Sequence, residues 1–106
     1  MHNKYKIRLS IKAKDDLKNI VFYIKNELHE PIIATKYFQF IKKELQTLEF
    51  LPQKYAIIDD DIIKNLQIRK LNIKNYIVFY RIDEQKNIVN IERILYNASD
   101  WLSNLE

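Results

Sequence analysis

The first part of the chain changes from an alternating to a helical pattern of apolar residues. Residues 4–9 alternate polar and apolar side chains, which is the period of a half-buried strand. Ser10 is a residue type that favours the position before a helix, and Asp15 and Asp16 lie in the early turns, where the helix dipole favours acids. The pattern predicts a first helix over about 11–28. Its apolar positions are Leu17, Ile20, Val21, Ile24 and Leu28.

A second helical stripe follows after a short turn. Pro31 suits the first turn of a helix, where its missing N–H group is not needed, and Pro52 marks the end. Two helices of similar length joined by a few residues are typical of an antiparallel helical hairpin. This helix is predicted from Pro31 to about residue 49. Its apolar positions are Ala34, Tyr37, Phe38, Ile41, Leu45 and Leu48.

The second half of the chain favours three strands with short connections. The predicted strands cover residues 66–72, 76–82 and 88–96, and the turns lie at Asn75 and at residues 83–87. Consecutive strands joined in this way form an antiparallel meander. Both faces of the 76–82 segment are apolar, which predicts that this strand is central in the sheet.

A last short helix completes the predicted fold. Asn97 is its candidate N-cap, and the helix contains Trp101 and Leu102. The predicted order is β-α-α-β-β-β-α. The fold class is α+β, with an N-terminal strand and an antiparallel helical hairpin packed on a small antiparallel sheet. We expect residues 1–106 to form a single domain, because a chain of this length builds one core.

Composition narrows the classes of function. The chain has no cysteine and therefore no thiolate metal site, and the acidic run at residues 59–61 lacks the ligand spacing of a calcium loop, so we expect no metal and no cofactor. His2 and His29 are isolated and are interpreted as surface histidines. No stretch is apolar enough for a signal peptide or a membrane span, which favours a cytoplasmic protein without a membrane partner. The formal net charge of +4 favours an acidic partner.

Three segments carry a resemblance to a known family. They are the strand, serine and helix start from Tyr5 to Leu17, the stretch from Arg69 to Arg81, and the strand from Val89 to Leu95 with Asp100 after it. In this order and spacing they resemble the RelE/ParE superfamily of bacterial toxins, over almost the whole chain. The resemblance implies a toxin of a type II toxin–antitoxin system. A cognate antitoxin whose C-terminal segment wraps the toxin, and a toxin–antitoxin hetero-oligomer, are therefore expected.

The resemblance also implies that helices cover one face of the sheet and that the other face is concave and partly open. Cations at strand ends would then rim a groove for an anionic partner, with tyrosines beneath them. The alternative is that these cations are ordinary solvated residues at sheet edges. The residues concerned are Arg69, Lys70, Lys74 and Arg81.

The RelE-like branch of the superfamily cuts mRNA on the ribosome. Its arginines, lysines and a tyrosine or histidine stabilise the phosphorane and move protons. The resemblance places Ile77 and Ala98 where two of the arginines stand, and Asn104 near the tyrosine position, while Lys70 alone occupies a basic position of the family. Isoleucine and alanine cannot stabilise a phosphorane, so mRNA cleavage is disfavoured. The nuclease-position candidates that remain are Lys70, Arg69 and Arg81.

The ParE-like branch lacks the nuclease residues and acts on DNA gyrase by binding. The segment RILYNASDW resembles the end of these toxins, with Tyr96 in place of a frequent histidine. Because Tyr, Trp and Arg are preferred at binding hot spots, they are the natural candidates for contacting a target. We therefore expect gyrase inhibition and growth arrest until the antitoxin neutralises the toxin. The target-binding candidates are Arg93, Tyr96, Trp101, Arg69 and Arg81.

Other interpretations stay open on the sequence. Trp101 also suits packing of the last helix onto the sheet, and Arg93 either faces the groove or pairs with a buried acid. Two alternative functions are a RelE-like endoribonuclease that acts on ribosome-bound mRNA and a detoxified member of the superfamily that only binds its antitoxin. A nucleic-acid-binding module would use the tyrosines to stack on bases, but Tyr37 and Tyr76 lie at core-periodic positions, which favours packing.

Overall fold

The secondary structure follows the predicted order. The computed structural model describes residues 4–97 and 99–105. Short 3₁₀ turns at Pro52–Lys54 and Lys64–Leu66 lie in the segment between the helical hairpin and the last three strands. The main elements are strand β1 (Lys6–Leu9), helix α1 (Ile11–Phe22) continued by a π-helix (Tyr23–Glu27), helix α2 (Pro31–Gln46) continued by a 3₁₀ turn (Thr47–Glu49), strands β2 (Arg69–Ile73), β3 (Tyr76–Asp83) and β4 (Ile88–Tyr96), and helix α3 (Trp101–Leu105).

Helix α1 begins after Ser10, as predicted. The Ser10 Oγ accepts a hydrogen bond from the backbone N–H of Ala13 at 3.0 Å and so caps the first turn. The predicted apolar stripe is confirmed as far as Ile24, which is buried. It is wrong at Leu28, which is 50% exposed. The reason is the π-helix, whose wider turn rotates the following position away from the core.

The sheet has four strands in the order β1-β4-β3-β2. The predicted antiparallel meander of β2, β3 and β4 is confirmed, and β3 lies between two neighbours, as its two apolar faces indicated. Strand β1 joins the other side of β4 in parallel, with Lys6 opposite Ile88 and Leu9 opposite Ile91. The local pattern had left this pairing unspecified. Strands β1 and β2 are therefore the two edges of the sheet.

The first core lies between the helical hairpin and the sheet. Helical spacing in α1 and α2 turns one face of each helix towards the strands, and alternate strand positions complete the contact. The apolar stripe predicted for α2 is confirmed at most positions, with Ile41 and Leu48 fully buried, but it is wrong at Phe38, which is only half-buried and lies outside this core. The buried residues of this core are Ala13, Ile20, Ile24, Ala34, Ile41, Leu45, Leu48, Leu71, Ile73, Val78, Tyr80, Val89, Ile91 and Ile94.

The opposite face of the sheet is closed over its centre by a second core and is open only in hollows at its margins, so the expectation of a groove with tyrosines beneath its cations is wrong there. Ile77 and Phe79 point to this face and are 6% and 0% exposed. Tyr76 and Tyr80 belong to the first core, so they do not lie beneath the cations. Because β3 alternates between two apolar faces, the second face also needs a cover. The residues of this second core are Ile58, Ile63, Ile68, Ile77 and Phe79, with Leu66, Leu95, Trp101, Leu102 and Leu105 packed against them.

The prediction that Asn97 caps the last helix is wrong. Helix α3 begins at Trp101, directly after Asp100, whose carboxylate accepts a hydrogen bond from the Ser103 hydroxyl at 2.7 Å. Asn97 instead donates its backbone N–H to the carbonyl of Asn75 at 2.8 Å. The helix starts later than predicted because strand pairing between β3 and β4 extends to Tyr96, directly before this residue.

Five residues adopt a left-handed backbone conformation, although the chain contains no glycine. Lys74 and Asn87 do so in the turns that the sequence predicted between the last three strands. Leu51 (φ 54°) is the unusual case, because leucine has no polar side-chain group to offset the clash between its Cβ and the following carbonyl. The set is His29, Leu51, Gln67, Lys74 and Asn87.

Relief of this strain should be measurable at Leu51. The side chain is 66% exposed, so Leu51→Gly loses little burial. It removes the Cβ clash, and we expect a net stabilisation of about 0.5–1 kcal/mol after the entropic cost of glycine. Urea unfolding monitored by circular dichroism measures this change. Phe50→Gly is the matched control, because Phe50 is similarly exposed (58%) but has an ordinary φ of −121°. This substitution should therefore destabilise the protein. Equal destabilisation by both changes would contradict the strain at Leu51.

Candidate partner-binding surfaces

The side chain of Arg93 is bound to Asp16 in helix α1. The Nε and Nη2 atoms of Arg93 donate to the two carboxylate oxygens at 2.8 and 2.9 Å, and the backbone N–H of Ile94 donates to the same carboxylate at 2.9 Å. The hydrogen bond to Asp16 raises the pKa of Arg93, and burial acts in the opposite direction. Of the two alternatives open on the sequence, Arg93 pairs with an acid, and this acid comes from a helix.

This ion pair lies where β1 ends and the edge of β4 continues. Ser10 donates its backbone N–H to the Ile91 carbonyl at 2.9 Å and its hydroxyl to the Glu92 carbonyl at 2.8 Å. A β-bulge at the same place shifts the register between β3 and β4, with Phe79 opposite Arg93 and Tyr80 opposite Ile91. The start of α1 therefore replaces a neighbouring strand along this part of β4, and Arg93 is part of that contact.

Arg69, a candidate for both kinds of site, holds the segment before β2 in place. Its Nη1 atom donates to the carbonyls of Gln53 and Tyr55 at 3.1 and 2.6 Å. Beside it, the buried hydroxyl of Tyr80 donates to the Pro52 carbonyl at 2.7 Å. Burial raises the pKa of Tyr80 to about 12, and the positive charge of Arg69 acts in the opposite direction. The guanidinium of Arg69 is thus engaged by backbone oxygens.

Trp101 packs in the second core. The centre of its ring lies 5.3 Å from the centre of the Phe79 ring, with an angle of 35° between the two ring planes. The Lys70 Nζ atom lies 5.8 Å from the centre of the Trp101 ring, a cation–π arrangement. Lys70 also borders a hollow of about 380 Å³ with Asp59 and Asp60. Trp101 therefore packs the last helix onto the sheet, and its partly exposed side chain also borders this hollow.

Arg81 is exposed and borders a hollow of about 340 Å³ on the side of the sheet away from the hairpin. Lys12 contributes further positive charge to it and Glu92 a negative charge, while Arg93, whose charge Asp16 balances, also lines it. Asn104, at the position that the resemblance compares with a nuclease tyrosine, lines the same hollow and donates its side-chain amide to the Asp100 carbonyl.

Tyr96 is 52% exposed and belongs to a groove of about 540 Å³ at the end of the hairpin. We call this the tyrosine groove. The rings of Tyr96 and Tyr76 pack edge to face with their centres 5.7 Å apart. The rings of Tyr76 and Tyr37 pack in the same way, with their centres 5.8 Å apart. Burial raises the pKa of Tyr76, and the neighbouring tyrosines add to this effect. The groove is lined by Tyr23, Ile24, Leu28, Ile33, Tyr37, Asn75, Tyr76 and Tyr96.

The sequence did not predict two of the surface grooves in the structure. Tyr37 and Tyr76 were interpreted as packing residues, and they do pack, but they also line the tyrosine groove. A second groove lies between α1 and α2, where Lys14, Lys18 and Lys25 border it. The sequence signal for this surface is the recurrence of lysine at spacings of four and seven residues, which places positive charge on one side of the helix.

The remaining candidates add little. His29 is exposed in the turn between the helices, and His2 and Ala98 lie outside the described residues. Within residues 4–97 and 99–105, no group of three or more His, Cys, Asp or Glu side chains is arranged to hold a metal ion. In the same part of the chain, no helix combines the length and apolar character that a membrane crossing requires.

The contact between α1 and the edge of β4 can be tested at Asp16. Asp16→Asn leaves the charge of Arg93 in place with only 18% of its side chain exposed, so we expect destabilisation by about 3 kcal/mol. Chemical denaturation measures the change. Asp15→Asn, an exposed neighbour, should change stability by less than about 0.5 kcal/mol. Similar small effects of both substitutions would show that the pair is dispensable.

A second test uses the alkaline pH dependence of stability. The folded-state pKa of Tyr80, about 12, exceeds the ordinary value of 10.0. The neutral hydroxyl therefore contributes stability that is fully present below pH 10 and lost as the pH rises through about 12. The free energy of unfolding, measured across this pH range, should therefore fall less steeply with pH for Tyr80→Phe than for the parent protein. Parallel curves for the two proteins would rule out this contribution from Tyr80.

Comparison with known proteins adds to this geometry. The family described as ParE toxin of type II toxin-antitoxin system, parDE, matches residues 7–101. No curated protein matches the sequence significantly. A chain of the chromosomal ParDE TA system from P. aeruginosa is similar in structure, with a TM-score of 0.73, 20% identity, and coverage of 90% of this chain and 98% of that chain.

Two further solved structures share the fold. A chain of the toxin–antitoxin complex RelBE2 from Mycobacterium tuberculosis has a TM-score of 0.63 and 19% identity, covering 93% of this chain and 98% of that one. A chain of the archaeal RelE–RelB complex from Pyrococcus horikoshii OT3 has a TM-score of 0.60 and 11% identity, covering 90% and 97%. The family match spans nearly all of the chain. The protein therefore belongs to the ParE toxin family and is a toxin of a type II toxin–antitoxin system.

Proposed function

We propose that this toxin arrests growth by inhibiting DNA gyrase through binding, and that a cognate antitoxin neutralises it. The observation that carries the choice of gyrase over mRNA is the burial of Ile77. The resemblance places a phosphate-stabilising arginine of the nuclease members at this position. Here the side chain is aliphatic, 6% exposed and packed in the second core. A substrate phosphate at that point would meet neither a charge nor an open surface.

The cations that remain do not form a convergent set. Arg69 is engaged by the Gln53 and Tyr55 carbonyls. Lys70 and Arg81 border two different hollows, and Lys70 has Asp59 and Asp60 beside it. Stabilising a phosphorane requires donors that point to one place. Their dispersal supports a binding activity over in-line cleavage.

The target-binding surface that we propose centres on the tyrosine groove. Of the five candidates from the sequence, Tyr96 and Arg81 are exposed, whereas Arg93, Arg69 and Trp101 stabilise the fold. Tyrosine provides a large, rigid contact area together with a hydroxyl, which suits a binding hot spot. An apolar groove lined by four tyrosines, with Tyr96 at its open side, fits a gyrase contact made by side chains rather than by catalysis.

The experiment that separates the two targets adds purified toxin to a gyrase supercoiling reaction and, separately, to ribosomes translating a defined mRNA. We expect inhibition of supercoiling with intact mRNA. Tyr96→Ala should weaken inhibition at least about tenfold, because it removes an exposed hot-spot residue. Phe50→Ala is the matched control, a similarly exposed aromatic (58%) that does not line the groove.

Other outcomes have defined meanings. Codon-specific mRNA cuts with intact supercoiling would overturn the gyrase proposal in favour of ribosome-dependent cleavage. Loss of those cuts in Arg81→Ala would then assign the hollow beside Arg81 to RNA. Inactivity in both assays, together with tight antitoxin binding, would identify a detoxified toxin that only binds its partner.

An acidic antitoxin partner is supported by the net charge of +4 and by the structural neighbours, which come from toxin–antitoxin systems and complexes. Induced expression of the toxin alone should arrest growth. Co-expression of the small open reading frame beside its gene should restore growth, and the two products should purify as a hetero-oligomer. Absence of both arrest and co-purification would contradict the assignment of an active pair.

A further inference from the structure

Among the described residues, no charged side chain lines the tyrosine groove. Its wall consists of tyrosines, aliphatic residues and one asparagine. Burial and the neighbouring tyrosines raise the pKa of Tyr76, so its hydroxyl is neutral at neutral pH. The ammonium group of Lys74 lies over the rings of Phe40 and Tyr37, 4.7 and 5.8 Å from their centres, and does not line the groove. A nucleic acid would find no counter-charge here, and an uncharged occupant is favoured.

The polar groups of the tyrosine groove have unused hydrogen-bonding capacity. Within residues 4–97 and 99–105, the hydroxyls of Tyr5 and Tyr80 bond to protein groups, whereas those of the four groove tyrosines do not. The Tyr37 hydroxyl is buried and still has no partner in this part of the chain. Buried polar groups are hydrogen-bonded in most native structures, so an unpaired one points to a missing partner. The exposed side-chain amide of Asn75 adds further donors to the groove.

Side-chain movement at the groove gives an occupant access to the Tyr37 hydroxyl, which is closed off from solvent in the free protein. Tyr23 and Tyr96 are 49% and 52% exposed in the groove. Exposed side chains change rotamer rapidly, so the groove can open locally while the fold stays intact. An occupant that brings a hydrogen-bond acceptor then provides the partner that Tyr37 lacks.

Three aromatic rings form a continuous row in the groove. The rings of Tyr37 and Tyr76 meet at 81°, and those of Tyr76 and Tyr96 at 72°, so ring faces and edges alternate along the row. Their centres are 5.8 and 5.7 Å apart, which is close to the distance of about 6 Å that two residues of a polyproline II helix span. Grooves lined by aromatic residues bind proline-rich segments in this conformation. Proline has no N–H group, so it brings acceptors to the tyrosine hydroxyls without a donor that needs a partner.

We propose that the tyrosine groove binds an uncharged, proline-containing segment of the target in the polyproline II conformation. The proposal rests on the proposed function for the identity of the target, and it adds the chemistry of the segment that the target presents. A second copy of this chain has no such segment, because Pro31 lies in the first turn of α2 and Pro52 is fully buried. An acidic segment would place its charge against a neutral, largely apolar wall.

The probe is an uncharged peptide of three Ala-Pro-Pro repeats that is capped at both ends. A control peptide has glycine in place of every proline, which keeps the carbonyl groups but removes the ring contacts and the preformed conformation. An NMR titration that follows the tyrosine ring signals measures the affinity and the site together. We expect saturable shift changes at Tyr23, Tyr76 and Tyr96, and at least about tenfold weaker binding of the glycine peptide.

Tyr37→Phe separates a binding role of the hydroxyl from a structural one. The hydroxyl has no partner in the described part of the free protein, so its removal should not lower the free energy of unfolding. The affinity for the proline peptide should nevertheless fall about fivefold, because a hydrogen bond to a prolyl carbonyl is lost. A structural role predicts the reverse, lower stability with unchanged affinity. Tyr55→Phe is the matched control, a half-buried tyrosine outside the groove whose change should leave affinity within about twofold.

The exposed side of the groove provides a second comparison. Tyr96→Ala should weaken peptide binding at least about tenfold, whereas Phe50→Ala, with a similar exposure of 58%, should not. Four results would each overturn the proposal: equal affinity for the proline and glycine peptides, unchanged affinity of Tyr37→Phe, shift changes confined to rings outside the groove, or tighter binding of single-stranded DNA at the same tyrosines.

A competition experiment separates this proposal from the proposed function. Excess proline peptide added to the supercoiling reaction should relieve the inhibition of gyrase by the toxin, because both would occupy the surface around Tyr96. Binding of the peptide without this relief would overturn the assignment of the segment to the target. If the toxin does not inhibit gyrase, the proposed function fails while the titration still decides the chemistry of the occupant. If gyrase is inhibited and the peptide does not bind, the occupant is wrong and the proposed function stands.

Discussion

The carboxylate of Asp16 joins the helical half of the molecule to the sheet. It accepts three hydrogen bonds, two from Arg93 and one from the backbone of Ile94. This contact is needed because β1 is shorter than β4, so the outer backbone groups of β4 have no neighbouring strand beyond Leu9. Unpaired backbone groups are costly when partly buried, and the first turns of α1 provide the missing partners. The position of the hairpin over the sheet follows from this constraint.

The two apolar faces of β3 determine which surfaces remain available for partners. One face is covered by the hairpin, and Phe79 on the other face is covered by α3 and the segment before β2. Trp101 and Arg69 serve that covering, through the contact with Phe79 and the bonds to the Gln53 and Tyr55 carbonyls. The surfaces left for recognition are therefore at the margins of the fold: the tyrosine groove, the hollow beside Arg81 and the groove between α1 and α2.

Much of the fold is predictable because it depends on local periodicity. The stripes of α1 and α2, the Ser10 cap and the meander around Asn75 all arise from residues close in sequence. What the pattern could not give are contacts between distant segments. Asp16 looked like an acid placed for the helix dipole, but it serves a strand almost eighty residues away. The prediction of site residues was least accurate for this reason. Arg, Trp and Tyr are equally suited to binding hot spots and to internal contacts, and only the tertiary contacts show that Tyr96 is exposed whereas Arg93 is paired.

The cations around the most apolar strand also have a consequence for self-association. Both edges of the sheet carry exposed positive side chains, Lys6 and Arg8 on β1 and Lys70 on β2, with Lys74 at the end of β2. An exposed strand edge is a template for pairing with another chain, and lysines along it oppose that pairing. Two copies that approach edge to edge therefore meet like charge at every combination of edges. The charge at both edges therefore opposes extension of a sheet rich in isoleucine, valine and phenylalanine into aggregates, but it does not oppose pairing with an acidic strand from another protein.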